Sequence, residues 1–499
     1  MRKVTMATFI LLATTLVHAH VGSADVYYEG DAGPYHLFVT IRLPDAVPGV
    51  SEIQVRSATP DVETARVVLL RLAGAGAEFP PKPDLAQRSV QDPRFFVSSL
   101  WFMDYGALQV RIEVEGSRGK AKLSVPVASY ARQTLPMGAG LRALGAFSLV
   151  FLTLSIVPIL GAVVRESTLN TGEAARASSR RTSRVVMAIL SAILIFSLYL
   201  GRTSWNATAS LYSRNVDLLK PPRAETALQD GNRLVIRPAG ELMVPLAGQG
   251  TSTLTTSMDD LIPDHGHIMH LFLVRMPEMD RMWHLHPDRS DRNAFSERLP
   301  AMPAGQYKVF ADVVDKNGFP WTMVGNVNLP YIYGPSLKGD DSGWEGTRLT
   351  APLSETAVVG LADGARVVWE RGASALKANE PTSFKFRVEE KDGSPTRSLE
   401  PYMGMAAHAE VIATDLSVFA HIHPAGSVSM AALEMAQSEL RPMSLAGAGM
   451  AMEMSHSANA APPNFSFPYG FPHPGDYRIF VQFKRSAQIE TAAFDVHVQ

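Results

Sequence analysis

Two stretches of the chain repeat one another at three separated motifs, and this duplication constrains the fold more than any other feature. The first copy reads Met269-His270-Leu-Phe-Leu-Val274, then His284-Leu-His286-Pro287, then Gly305-Gln-Tyr307-Lys-Val-Phe310. The second reads Ala407-His408-Ala-Glu-Val-Ile412, then His421-Ile-His423-Pro424, then Gly475-Asp-Tyr477-Arg-Ile-Phe480. The step from the first histidine to the His-x-His pair is 14 residues in one copy (270 to 284) and 13 in the other (408 to 421). Self-similarity of this kind marks one structural unit used twice. The flanking residues follow the two-residue period of strands, which predicts two β-sandwich domains over 228–334 and 348–499. A methionine-rich insertion after His423 makes the second copy longer.

Short β-type runs at 35–43, 52–57, 65–72, 108–115 and 120–127 alternate with Pro/Gly turns such as 45–49. Regular short strands with turn signals predict a further antiparallel sandwich over 20–130. The expected fold is therefore mainly β, with three immunoglobulin-like β-sandwich domains, the last two an internal duplication.

Between the first sandwich and the repeat lie two apolar runs, 143–164 and 185–201, free of charge and long enough to span a bilayer. The loop 165–184 carries Arg165, Arg176, Arg180, Arg181 and Arg184 against Glu166 and Glu173. An excess of arginine in a short loop marks the cytoplasmic side, so the domains on either side are expected outside the cytoplasm. The segment 202–227, with Pro221-Pro222, reads as a polar linker. At the N-terminus, Met1-Arg2-Lys3 and an apolar run to Val17 precede Ala19. This is the pattern of a secretory signal peptide over 1–19. The expected setting is a bacterial inner membrane, with both sets of domains periplasmic and two spans in the lipid.

Composition narrows the chemistry. The 46 basic and 48 acidic residues give a formal charge of −2, which argues against a nucleic-acid partner. There is no cysteine among 499 residues, against 14 His and 21 Met. Thiolate zinc sites, iron–sulfur clusters and cysteine nucleophiles are excluded. The remaining metal donors are imidazole, thioether and carboxylate.

Residues i and i+2 of a strand share a face, so His284 projects with His286 and His421 with His423. A histidine 13 or 14 residues upstream returns on a neighbouring strand. The expected ligand sets are thus His270, His284 and His286, and His408, His421 and His423. Imidazole triads with few carboxylates nearby suit copper, with zinc as the alternative. His265 and His267, in Asp264-His-Gly-His, are candidate additions to the first set. Met450, Met452, Met454 and His456 form a soft cluster suited to Cu(I). Cleavage after Ala19 would free the amine of His20, which could pair with His36 as a histidine brace.

The two His-x-His-Pro and Gly-x-Tyr motifs, with Leu399-Glu-Pro-Tyr-Met-Gly-Met405-Ala-Ala-His408 and Ser417-Val-Phe-Ala-His421-Ile-His423-Pro424, resemble a family of bacterial secreted or membrane-anchored proteins. These proteins are related to the YtkA-like and CopC-like β-sandwich domains. The opening Val21-Gly-Ser-Ala-Asp-Val-Tyr-Tyr-Glu-Gly-Asp-Ala-Gly-Pro34 is similar to theirs as well. The resemblance implies copper handling in the periplasm, with a periplasmic or membrane copper-handling protein as partner. The N-terminal domain departs from a CopC pattern in lacking a methionine-rich loop. The leading expectation is a membrane-anchored protein for copper capture, buffering or delivery. The alternatives are a metal-dependent enzyme (copper oxygenase or oxidase, or a zinc hydrolase with Glu410 as base) and a sandwich scaffold whose histidines are structural.

Overall fold

Alternation along the repeated strands sets the architecture. In the strand His270–Met276, His270, Phe272 and Val274 face one way and Leu271 and Leu273 the other. In His408–Ala413 the same holds for His408, Glu410 and Ile412 against Ala409, Val411 and Ala413. Both strands are buried along most of their length, so each needs a partner on both faces. Each finds its own sandwich core on one side and the other repeat copy on the other.

These observations come from a computed structural model that describes residues 20–21, 25–73, 80–134, 137–167, 169–170, 172–218, 220, 222–240, 242–245, 253–256, 258–350, 352–372, 374–438, 440 and 461–499. The expected signal peptide and the Met450–His456 cluster lie outside them. The chain divides into two units, residues 130–220 and the remainder.

The larger unit contains the three sandwiches. The N-terminal one pairs a five-stranded with a four-stranded sheet around Tyr35, Leu37, Ile53, Phe96, Val110 and Ile112. In the first repeat copy, a six-stranded sheet is built on Gly305–Asp315, His270–Met276 and Arg281–Leu285. It extends to Ser342–Glu345, which pairs with Arg281–Leu285. This copy therefore runs past the expected boundary at 334. In the second copy, a six-stranded sheet on Gly475–Arg485, His408–Ala413 and Val418–Ile422 covers a four-stranded one, with Val367, Phe384, Phe386, Val411, Ile479 and Phe494 between them. All pairings between these named strands are antiparallel except that of His20–Val21, which lies parallel on the edge of Val418–Ile422.

The two large sheets of the repeat pack face to face. Phe272, Met282 and Phe310 of the first meet Ile412, Phe419 and Phe480 of the second. Phe310 stacks on Phe419 at 4.0 Å between ring centroids. Arg478, paired to Asp495 at 2.6 and 2.7 Å, donates across the interface to the Met279 and Thr347 carbonyls at 2.7 and 2.8 Å. The repeat is thus a docked pair.

The helix Met430–Ser438 follows the second His-x-His-Pro turn. Its Met430 and Leu433 complete the N-terminal core, and Ala432 and Ala436 pack on Leu72. The turn before it depends on Gly426, whose φ is +132°. A Cβ there would sit 2.0 Å from the Tyr27 carbonyl oxygen.

The smaller unit holds two helices, Ala139–Glu166 and Ala177–Leu218. Ala139–Glu166 and the part Ala177–Leu211 are long and apolar enough to cross a membrane. Gly161 is their point of close approach, for a Cβ there would meet Met187 Sδ at 2.3 Å. The second helix corrects the linker expected over 202–227: no glycine or proline occurs between Arg202 and Leu218, and the helix continues to within three residues of Pro221.

Phe419→Ala removes the ring that Phe310, Phe272 and the rest of the interface pack against. The expected cost is about 3–5 kcal/mol, read as a lower denaturation midpoint of the full chain in detergent.

Candidate metal centre

Beside the aromatic belt, the same interface turns polar and collects eight histidines: 265, 267, 270, 284, 286, 408, 421 and 423. Their rings form one continuous chain of contacts, with neighbouring centroids 3.8–5.9 Å apart. Within it, two groups of three bring one nitrogen each to within 4.8 Å of the others: His270, His284 and His286, and His265, His408 and His423.

The first group matches the set expected from sequence. His270 and His284 come from adjacent strands, and His286 stands just past the strand end, where Pro287 interrupts pairing. Each ring is held by its outer nitrogen. His270 donates Nε2–H to the Asp264 carbonyl at 3.0 Å, and His284 donates Nδ1–H to Gln482 Oε1 at 2.9 Å. His286 Nδ1 lies 3.1 Å from Asp341 Oδ1. These acceptors fix the tautomers, leaving lone pairs on His270 Nδ1, His284 Nε2 and His286 Nε2. The first two face one another at 3.0 Å. The third is buried with no partner.

The second group differs from expectation: His265 replaces His421. His265 sits in the turn Asp264-His265-Gly266-His267, with φ of +52° at His265 and +84° at Gly266. Two positive φ values make a tight two-residue reversal, and this one carries the His265 ring across to the other copy. His265 donates Nδ1–H to the Met403 carbonyl and His423 donates Nδ1–H to the Val428 carbonyl, both at 3.1 Å. Their Nε2 lone pairs then face each other at 3.2 Å. Both nitrogens of His408 are buried without a partner.

In both groups facing nitrogens stand 3.0–3.2 Å apart. Two donors about 2.0–2.1 Å from a shared tetrahedral ion lie about 3.3–3.4 Å from each other. With no proton between them, two lone pairs at this distance repel; an electron-pair acceptor between them removes the conflict. Burial first, then neighbouring imidazoles, hold these groups in the neutral form that binds metal: His270 and His286 are pushed down to about 3, and His408 and His423 well below the usual range.

The other expected ligands fall elsewhere. His421 lies between the groups with its Nδ1 3.5 Å from Asp312 Oδ2. His267 stacks on His286 at 3.8 Å and approaches Asp340 at 3.3 Å, at the rim rather than in a group. His36 does not stand ready for a brace: Asp31 and Glu29 engage its ring at 2.7 and 3.1 Å. The His20 side chain lies outside the described residues, as do Met450, Met452, Met454 and His456.

Sequence reading also missed partners. Carboxylate residues are not scarce here: Asp312, Asp340 and Asp341 approach His421, His267 and His286, Asp264 adjoins His270, and Glu410 lies opposite His421 on the paired strand. Asp312 and Gln482 occupy the same place in the repeat, seven residues after Gly305 and Gly475. The repeat also reaches further upstream than its motifs indicate. Leu261-Ile-Pro263-Asp-His-Gly266-His-Ile-Met-His270 aligns with Leu399-Glu-Pro401-Tyr-Met-Gly404-Met-Ala-Ala-His408. Both make the same turn, with φ of +48° and +80° at Met403 and Gly404.

Residues 357–499 match a family described as a domain of unknown function (DUF8832). No curated protein matches the sequence. Among solved structures, CopC from Methylosinus trichosporium OB3b aligns over 22% of this chain and 99% of its own, at 17% identity and a TM-score of 0.15. The ICAM-5 D1–D4 ectodomain fragment aligns over 93% and 77%, at 9% identity and a TM-score of 0.13. Salmonella alpha-2-macroglobulin aligns over 97% and 24%, at 8% identity and a TM-score of 0.19.

Burial pushes His265, His270, His284, His286, His408, His421 and His423 below the usual imidazole range. Below pH 6.5 the unfolded chain takes up protons that the native chain refuses, so stability falls with pH until the native values, about 3–4 for His265, His270 and His286, are reached. Asp312, pushed up to about 6 by burial, Glu297, pushed up to about 7, and Asp264, Asp341 and Glu410, also raised by burial, act in the opposite sense but are fewer than the seven histidines. Metal-stripped protein is therefore expected to melt at progressively lower temperature as pH falls from 6.5 to 5. A flat profile would contradict the buried neutral triads.

Proposed function

We propose that this chain is a membrane-anchored, extracytoplasmic copper-binding protein, in which the two histidine groups capture and hold copper for buffering or delivery. The observation that carries the reading is the pair of facing lone pairs, at 3.0 Å between His270 and His284 and 3.2 Å between His265 and His423. Each group offers three neutral imidazoles, a donor set that suits copper or zinc. Copper is favoured over structural zinc because neither group is a closed four-ligand shell. The arginine-rich stretch between the two apolar helices supports an extracytoplasmic location for the sandwiches. Met450, Met452, Met454 and His456 belong to the proposal as a soft segment that hands Cu(I) to the imidazoles.

The spatial grouping makes a prediction that the order of the repeat does not. His265→Ala and His408→Ala are each expected to remove one copper equivalent, and the double variant no more than one, because the two residues serve one ion. His265→Ala with His286→Ala is expected to remove two. Elemental analysis after loading and dialysis of full-length protein in detergent reads the counts, with far-UV circular dichroism as the check on folding. If His265→Ala keeps its full copper content, the crossed ligand set is wrong. Protein isolated from its native membrane with zinc in place of copper would overturn the choice of metal.

A further inference from the structure

We propose that His267 and Asp340 form the entry point of the first histidine group, holding a cation in passing between solvent and His286. The proposal rests on reading that group as a metal centre and adds the route by which it is filled and emptied.

A site this deep needs such a route. His270 and His284 are 2% and 0% exposed, and the His286 side chain 4%. A hydrated cation must shed its water to arrive there, which is costly unless protein donors replace the water stepwise. His267 and Asp340 are placed for the first exchange. Their side chains are 29% and 35% exposed, and His267 Nε2 lies 3.3 Å from Asp340 Oδ2. That is close to the separation of two donors on one ion. The His267 ring stacks on that of His286 at 3.8 Å between centroids and meets His270 at 5.9 Å. The exposed pair therefore adjoins the buried group on its solvent side.

Backbone contacts hold both residues in place. The His267 amide donates to the Asp264 carbonyl at 3.0 Å and the Asp264 amide to the His267 carbonyl at 2.8 Å, closing the turn that also carries His265. The Asp340 carbonyl accepts from the Tyr402 hydroxyl at 2.9 Å. Its neighbour Asp341 accepts from the His286 amide at 3.0 Å and lies 3.1 Å from that ring's Nδ1. One carboxylate thus orients the ligand while the adjacent one meets solvent. The second copy shows that the turn itself does not require a histidine here. The counterpart of His267 is Met405, whose backbone pairs with Tyr402 in the same way, at 2.7 and 3.0 Å. Met405 is buried and joins the N-terminal core. An exposed imidazole beside a carboxylate is therefore a property of the first copy, and a negative charge at the mouth of a buried site draws cations toward it.

The test uses full-length protein in detergent carrying His408→Ala, so that only the first group takes an ion. It is mixed with Cu(II) and followed by stopped-flow quenching of tryptophan fluorescence. His267→Phe keeps the stacked ring and removes its nitrogens. Loading and chelator-driven release are expected to slow by the same factor in this variant, with the affinity and the single bound equivalent unchanged. A residue of the route lowers the barrier in both directions, whereas loss of a ligand from the bound state speeds release. Asp340→Asn is expected to slow loading by about tenfold at low salt and to flatten its dependence on ionic strength, because the attracting charge is gone. Unchanged rates in both folded variants, or faster release from His267→Phe, overturn the entry role and leave the first group standing. A parent that binds no Cu(II) overturns both.

Discussion

Imidazole nitrogens that face one another inside a protein repel when both carry lone pairs, and the docked repeat is arranged around two such encounters. The outer nitrogens of His270, His284, His265 and His423 are committed to the oxygens of Asp264, Gln482, Met403 and Val428. That commitment dictates which nitrogen is left bare, and the strand positions dictate that the bare ones converge. Hydrophobic contact keeps the arrangement together without metal: Phe272, Phe310, Phe419 and Phe480 close one end of the interface, and Arg478 clamps two carbonyls of the opposite copy. The histidine end contributes unsatisfied groups instead. Binding an ion there stabilises the native pair by mass action, so metal capture and sheet docking reinforce each other.

Duplication makes this possible because two similar sheets offer similar faces to one another. The crossing contacts come in pairs: Gln482 to His284 and Asp312 to His421, and the same tight turn carrying His265 in one copy and Met403 in the other. The N-terminal sandwich contributes through the helix Met430–Ser438, since Asp264, whose carbonyl orients His270, also accepts from the Ala431 amide at 2.8 Å. A disturbance of that sandwich can therefore reach the histidines through one backbone segment.

Much of this was legible in the chain. The His-x-His pairs, the strand period and the Gly-x-Tyr motif led to three sandwiches and to the set His270, His284 and His286. The apolar runs led to two membrane-capable helices, though the lack of a breaker before Pro221 extends the second through most of the expected linker. What was hidden is how the copies meet. Periodicity tells that His408 and His421 leave the core of their own sandwich, but not that a second sheet waits there. For the same reason His265 read as an addition to its own copy, when its left-handed turn delivers it to the other. Asp312 and Gln482 sit at ordinary strand positions with no motif around them, and only the docked geometry brings them to His421 and His284.

On the proposed reading, six imidazoles hold two ions, and His265 crosses from the first copy to complete the second ion's set. Anomalous diffraction from crystals of the copper-loaded full chain tests it most directly. One anomalous peak is expected among His270, His284 and His286, and another among His265, His408 and His423. A peak ligated by His421 in place of His265, or no peak among these six residues, would contradict it.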